Sequence, residues 1–223
     1  MKIAGEYSFA APRAVVWEAL QDPKVLAAVL PGAERLDLVA PDEYEGKLKI
    51  KVGPVQGDFT GKVKLQDLQP PASYTMAIDG QGAQGFVKAT ASIALAEDGP
   101  SATRMRYDSE AQVGGRIASV GQRLVESSAR AIVKQSLEGL DAAIRARAAA
   151  AQTVAAAGGS VAEASAAAEA ALAPIEAAKP SQAAFAAGVA REVAKEVIPP
   201  GVRRVIIAVV AIVVILWILR QVL

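Results

Sequence analysis

Apolar and polar residues alternate with period two along most of the first half of the chain, the spacing that sends every second side chain to one face of a strand. Residues 1–9 set Ile3, Gly5, Tyr7 and Phe9 against Lys2, Glu6 and Ser8. The same habit recurs at 34–39, 45–52, 58–65, 73–79, 86–95 and 103–113, with Gly, Pro and Asp between the runs. In 45–52, Leu48, Ile50 and Val52 oppose Lys47, Lys49 and Lys51; in 58–65, Phe59, Gly61, Val63 and Leu65 oppose Thr60, Lys62 and Lys64. Tyr74, Met76 and Ile78 face inward in the next run. One-sided alternation of this kind predicts an antiparallel sheet of seven strands, dry on one face and wet on the other.

The period changes to that of a helix in two places. Pro12 opens a short helix with Val15, Val16, Ala19 and Leu20 as its stripe, and Asp22-Pro23 caps a second with Val25, Leu26, Val29 and Leu30, stopped by Pro31-Gly32. After Gly114-Gly115 the pattern predicts a long helix over 115–147, carrying Ile117, Val120 and Leu124, then Val125, Ile132, Leu137, Leu140 and Ile144. Such a helix is the natural lid for the dry face, so the predicted class is α+β with residues 1–147 as the folded domain.

Two further patterns complete the chain. Residues 148–198 are dominated by Ala with scattered Glu, Ser, Gly and Pro, which predicts a flexible or partly helical tether: about 40 Å r.m.s. as coil, about 75 Å if fully helical. Within it, Val189, Ala190, Arg191, Glu192 and Val193 suit an amphipathic turn on lipid headgroups. Residues 205–219, from Val205 through Leu216 and Trp217, contain no polar side chain and are flanked by Arg203, Arg204 and Arg220. A helix apolar all round belongs in lipid or in a large core. The run is about 22 Å long against a hydrocarbon core of about 30 Å, so 199–223 spans a bilayer only if the arginines reach the headgroups. We therefore expect a single-pass C-terminal anchor, not a signal peptide, with the basic flank holding the main domain on the cytoplasmic side of the inner membrane. The other reading is a hydrophobic helix docked on a partner protein.

Composition narrows the chemistry. A net charge of +1 implies no nucleic acid. The absence of His and Cys removes thiolate nucleophiles, His- or Cys-built zinc sites and the commonest general base. No Asp/Glu cluster with ligand spacing appears, so neither catalytic residues nor a metal site is expected. The Lys47, Lys49, Lys51 and Lys62, Lys64 rows form one basic sheet face: a solvated surface, or one that meets an acidic partner or anionic headgroups.

On the inward side, Ala89, Ala91, Ser109 and Ala111 lie among Val87, Ile93, Met105 and Val113, opposite Ala118, Gly121 and Ser128 of the long helix. Small residues on both sides suit either a hollow or a close-packed contact, and the residues alone leave both open. The order of elements is that of a helix-grip domain. With Pro31-Gly32-Ala33-Glu34, Val52-Gly53-Pro54-Val55, Phe59-Thr60-Gly61, Gly80-x-Gly82-x-x-Gly85 and Gly114-Gly115-x-x-Ala118, residues 1–147 resemble the START-like (SRPBCC) superfamily, and more closely its CoxG family, named for carbon monoxide dehydrogenase. The glycine motif at 80–85 joins two strands and is not followed by a helix, so it is not a phosphate loop.

The resemblance implies an apolar cavity between sheet and helix. It implies a non-enzymatic accessory protein that recruits a molybdenum-containing carbon monoxide dehydrogenase or related hydroxylase to the membrane. It further implies a carried quinone, ubiquinone or menaquinone, that couples the enzyme to the respiratory chain. The expected ligand-binding residues are Leu20, Val29 and Leu30 at the mouth, Phe59, Met76 and Phe86 along the sheet, and Ile117, Val120 and Leu124 as the helix wall, with the short helices and the 80–85 connection as gate. Two other functions stay open: an adaptor that docks the enzyme without a ligand, and an enzyme of the START-like group.

Overall fold

The computed structural model describes residues 1–177. The alternation is realised as β1 (Lys2–Phe9), β2 (Ala33–Ala40), β3 (Glu43–Val52), β4 (Val55–Gln69), β5 (Ser73–Gly82), β6 (Gly85–Glu97) and β7 (Thr103–Gly114). The seven form one sheet in the order β1-β7-β6-β5-β4-β3-β2, with every neighbouring pair antiparallel. The β3–β4 and β5–β6 hairpins and the exit of β7 therefore share one end of the sheet. The β2–β3, β4–β5 and β6–β7 connections share the other.

Between β1 and β2 lie α1 (Arg13–Ala19) and α2 (Pro23–Val29); after β7 comes a 3-10 turn (Ala118–Val120), then α3 (Gln122–Ala156), α4 (Val161–Ala170) and α5 (Ala173–Ala177). Thr103 on β7 is fully buried and donates its hydroxyl to the Ala11 carbonyl (2.7 Å), fixing the entry to α1. In α1, Val16 and Trp17 are buried but Val15 is 41% exposed, so the inward stripe is narrower than expected. Asp22 caps α2, accepting from the N–H groups of Lys24 (2.9 Å) and Val25 (3.4 Å), and its other oxygen accepts from Arg147 of α3 (2.8 Å). Lys24 pairs with Glu169 of α4. A short helix expected to be loosely held is thus tied to two others.

At the closest approach of α2 and α3, a Cβ on Gly139 would stand 3.1 Å from the Cβ of buried Val29. Gly139→Val should therefore destabilise the domain by about 1–3 kcal/mol, read as a lower urea midpoint, despite the better helix propensity of any replacement.

Two boundaries differ from the sequence reading. The long helix begins at Gln122, not 115, because Gly115 (φ +83°) and Gly121 (φ +98°) hold left-handed conformations that break the path between β7 and α3. Ile117 and Val120 consequently sit on the intervening turn and form no helix wall. The helix also continues past 147 to Ala156, and the alanine-rich stretch then doubles back. Ser160 and Glu163 make a capping box that starts α4, which packs along α3, and Leu172 beyond it is buried in the main core. The first part of the expected tether is therefore packed helix, since alanine faces allow close helix approach and one leucine supplies the anchor. Residues 178–198 and the expected anchor with Arg203, Arg204, Val205, Leu216, Trp217 and Arg220 lie outside the described residues. Among the described residues no helix is long and apolar enough to cross a membrane.

Candidate ligand-binding site

The buried apolar side chains fall into two clusters. The larger unites Phe9, Val16, Trp17, Val25, Tyr74, Ile93, Met105, Leu140 and Ile144, with the α1–α2 segment and the second half of α3 over the sheet. Trp17 meets Tyr74 edge-on with ring centroids 5.5 Å apart, and burial pushes the Tyr74 phenol well above its ordinary pKa. Tyr44, raised in the same way, donates its hydroxyl to the Gln21 carbonyl (2.9 Å). The smaller cluster joins Val52, Phe59, Ile117 and Val125 at the end of the sheet where the β3–β4 hairpin meets the start of α3.

Between the clusters the packing thins on both layers. Gly46, Gly61 and Gly80 stand in register on β3, β4 and β5, all on the inner face. Leu36 covers Gly46, coming within 3.0 Å of the place a Cβ would occupy. Gly61 and Gly80 have no such cover: only backbone atoms, at 3.7–3.9 Å, lie within contact of that place. Ala89 and Ala111 face each other on the neighbouring strands. On the helix, Val125, Ser127 and Ser128 are buried, as are Leu137 and Leu140, but no residue from Ala129 to Ser136 is.

Two polar atoms of α3 face inward there without a partner. Ser128 is 1% exposed and its Oγ makes no hydrogen bond; the Oε1 of Gln135 is likewise buried and unbonded. Ser128, Ile132 and Gln135 share one helix face over two turns, about 10 Å. An unsatisfied buried polar group costs about 1–3 kcal/mol, and a ligand oxygen that bonded it would recover that cost. Ser128 offers a donor, and the Gln135 amide offers a donor or an acceptor according to its rotation. The arrangement suits an apolar molecule with carbonyl or hydroxyl oxygens. Among the described residues no group of acidic side chains is placed to hold a metal.

The open hollows on the sheet's other face have a different character. One of about 780 Å³ is bordered by Glu43, Glu45, Lys62, Lys64, Asp79 and Lys88, and another of about 730 Å³ by Glu6, Asp67, Arg106 and Asp108. Charged walls of both signs do not suit an apolar ligand. This face is not the basic surface that the lysine rows suggested. Lys62 pairs with Glu45 (2.7 Å), Lys64 with Glu43 (2.6 Å), and Lys47 with Glu34 (2.9 Å) and Asp58 (3.4 Å). Hydrogen bonds to their partners hold the Lys62 and Lys64 ammoniums above their ordinary pKa.

The expected site residues are divided by the structure. Val29 is buried in the larger cluster, with Leu20 and Met76 packed against it; Leu30 is partly buried at the C-cap of α2. Phe59, Ile117, Val120 and Leu124 belong to the smaller cluster. Phe86 is misplaced by the sequence reading: Val87, Ala89 and Ala91 take the inner face, which sends Phe86 to the outer one with Lys88, where its ring lies over Gly114. The 80–85 connection is a tight hairpin, held by the N–H of Ile117 donating to the Gln84 carbonyl (2.9 Å). The glycine row and the Ser128–Gln135 pair escape a sequence reading because cross-strand register and missing partners leave no local signal.

A conserved protein from Geobacillus kaustophilus has a solved structure that is 28% identical, covers 65% of this chain and 95% of its own, and has a TM-score of 0.63. An aromatase/cyclase from Streptomyces sp. R1128 is 17% identical, with 72% and 99% of the two chains covered and a TM-score of 0.50. A START superfamily protein from Mycobacterium smegmatis is 14% identical over 62% and 94%, with a TM-score of 0.47. No curated protein matches. The fold is START-like, and the family model of the carbon monoxide dehydrogenase component CoxG matches residues 5–145, which contain the sheet, both clusters and the thinly packed zone between them; the chain belongs to the CoxG family.

Proposed function

We propose that this protein is a membrane-tethered, non-enzymatic accessory protein. It holds a hydrophobic ligand, a respiratory quinone such as ubiquinone or menaquinone, between the middle of α3 and the inner face of the sheet. It serves a cytoplasmic molybdenum-containing carbon monoxide dehydrogenase or related hydroxylase, which it keeps close to the respiratory chain. The family name supports the enzyme partner. The observation that carries the ligand is the two-part core, with bare Gly61 and Gly80 facing unpartnered Ser128 and Gln135. A quinone fits this chemistry, since its apolar ring and tail suit the walls and its carbonyl oxygens suit the two polar atoms. The apolar run at 205–219 would hold the domain at the bilayer from which such a ligand comes.

The test is mass spectrometry of a solvent extract of the full chain purified in mild detergent from quinone-containing membranes. The expected result is quinone in near-stoichiometric amount. An extract with phospholipid only, together with no uptake of added quinone, would contradict ligand carriage and leave the adaptor role.

A further inference from the structure

Among the described residues, most cations are neutralised. Arg13, Lys24, Arg35, Lys47, Lys62, Lys64, Lys88, Arg104, Arg106, Arg130, Arg145 and Arg147 all form ion pairs. Lys2, Lys49, Lys51, Arg116, Arg123 and Lys134 form none. Lys2 faces Glu110 across β1 and β7, and Lys134 sits midway along α3.

The other four gather at the end of the sheet that carries the β3–β4 and β5–β6 hairpins. Lys49 and Lys51 lie on β3 just before the turn at Gly53, and a Cβ on Gly53 would touch Leu124, next to Arg123. Arg116 lies between Gly115, which packs on Gly85 of the other hairpin, and Ile117, which bonds Gln84. The nearby carboxylates are already engaged: Asp58 by Lys47, Asp79 by Lys88, Glu126 by Arg130. Gly53, Pro54 and Ala83 at the tips are exposed and slight, so no bulk holds this end away from a flat surface. Glu18, Asp42 and Asp67, which form no ion pair, lie toward the opposite end, at α1 and the β2–β3 and β4–β5 connections. The domain is therefore polarised along its strands.

We infer that the end bearing Lys49, Lys51, Arg116 and Arg123 docks on anionic lipid headgroups, with the strands directed away from the bilayer. The inference rests on the membrane-anchoring part of the proposed function. A tether alone does not choose an orientation, because the 27 residues between Ala177 and Val205 reach roughly 90 Å when extended, enough for either end to face the membrane. Charge does choose: an anionic surface attracts unpaired cations within about a Debye length and repels the acidic end.

The chain has no cysteine, so single labels are clean. A fluorophore on Ala83→Cys or, at the far end, on Ala96→Cys of the full chain would be read against headgroup-borne quencher. The vesicles would be of phosphatidylcholine, with or without phosphatidylglycerol. Flotation with neutral vesicles reports the anchor separately. The expected result is quenching at position 83 and not 96, on anionic vesicles only. Each of Lys51→Gln, Arg116→Gln and Arg123→Gln should lower the ratio of docked to undocked tip roughly fivefold, and raised salt should do the same. Equal behaviour of the two labels, equal quenching on neutral vesicles, or quenching only when an acidic protein is added would overturn the inference, whether or not the chain floats.

Discussion

Gly61→Val combined with Ala89→Leu should abolish ligand binding, lowering affinity at least about tenfold, while the protein stays folded and becomes no less stable. A Cβ at Gly61 meets only ordinary contacts, and its φ is not left-handed. Valine suits a strand better than glycine does. The added side chains enter the zone where neither layer is fully packed, so they should fill space without displacing a neighbour. In a solid core the same pair would overpack and cost about 1–3 kcal/mol. Urea unfolding and quinone titration of the same samples separate the two outcomes: stable and unable to bind fits a hollow, destabilised fits a filled core. Ser128→Ala is the milder companion. Removing a hydroxyl that has no partner should leave stability unchanged or slightly raised, yet weaken a ligand that bonds it by about 1 kcal/mol.

Ending the chain after Arg147 should destabilise the domain by about 2–4 kcal/mol, mostly through loss of Leu172, which is 7% exposed in the main core, and of Ile175 packed against it. The truncation also removes Glu169, the partner of Lys24, and the whole of α4. Ending after Ala177 should retain full stability. Equal urea midpoints for the two truncations would show that α4 and α5 do not belong to the domain.

The strands are legible because a half-buried sheet imposes period two on its sequence, and no competing pattern crosses its seven runs. The departures have specific causes. Gly115 and Gly121 look like ordinary glycines flanking a helical pattern, but their positive φ delays the helix by seven residues. Composition cannot separate an alanine helix in water from one that packs on a neighbour, and only Leu172 marks the difference. The size of Phe86 argues for the inner face, although Val87, Ala89 and Ala91 set the opposite phase. Lysine rows read as a basic face because their partners, Glu43, Glu45 and Asp58, lie on other strands or at other positions of the same register. The site is legible only as a bias toward small residues. Its defining features, three glycines aligned across strands and two polar atoms without partners, arise from long-range register and packing.

The central claim is that a ligand lies between the middle of α3 and the glycine row. Hydrogen exchange of the full chain, with and without added quinone, tests it most directly. The account predicts slowed exchange in the 126–136 segment of α3 and in the strand segments around Gly61 and Gly80, with α4 unchanged. Unchanged exchange at saturating quinone, or protection confined to other parts of the chain, would contradict it.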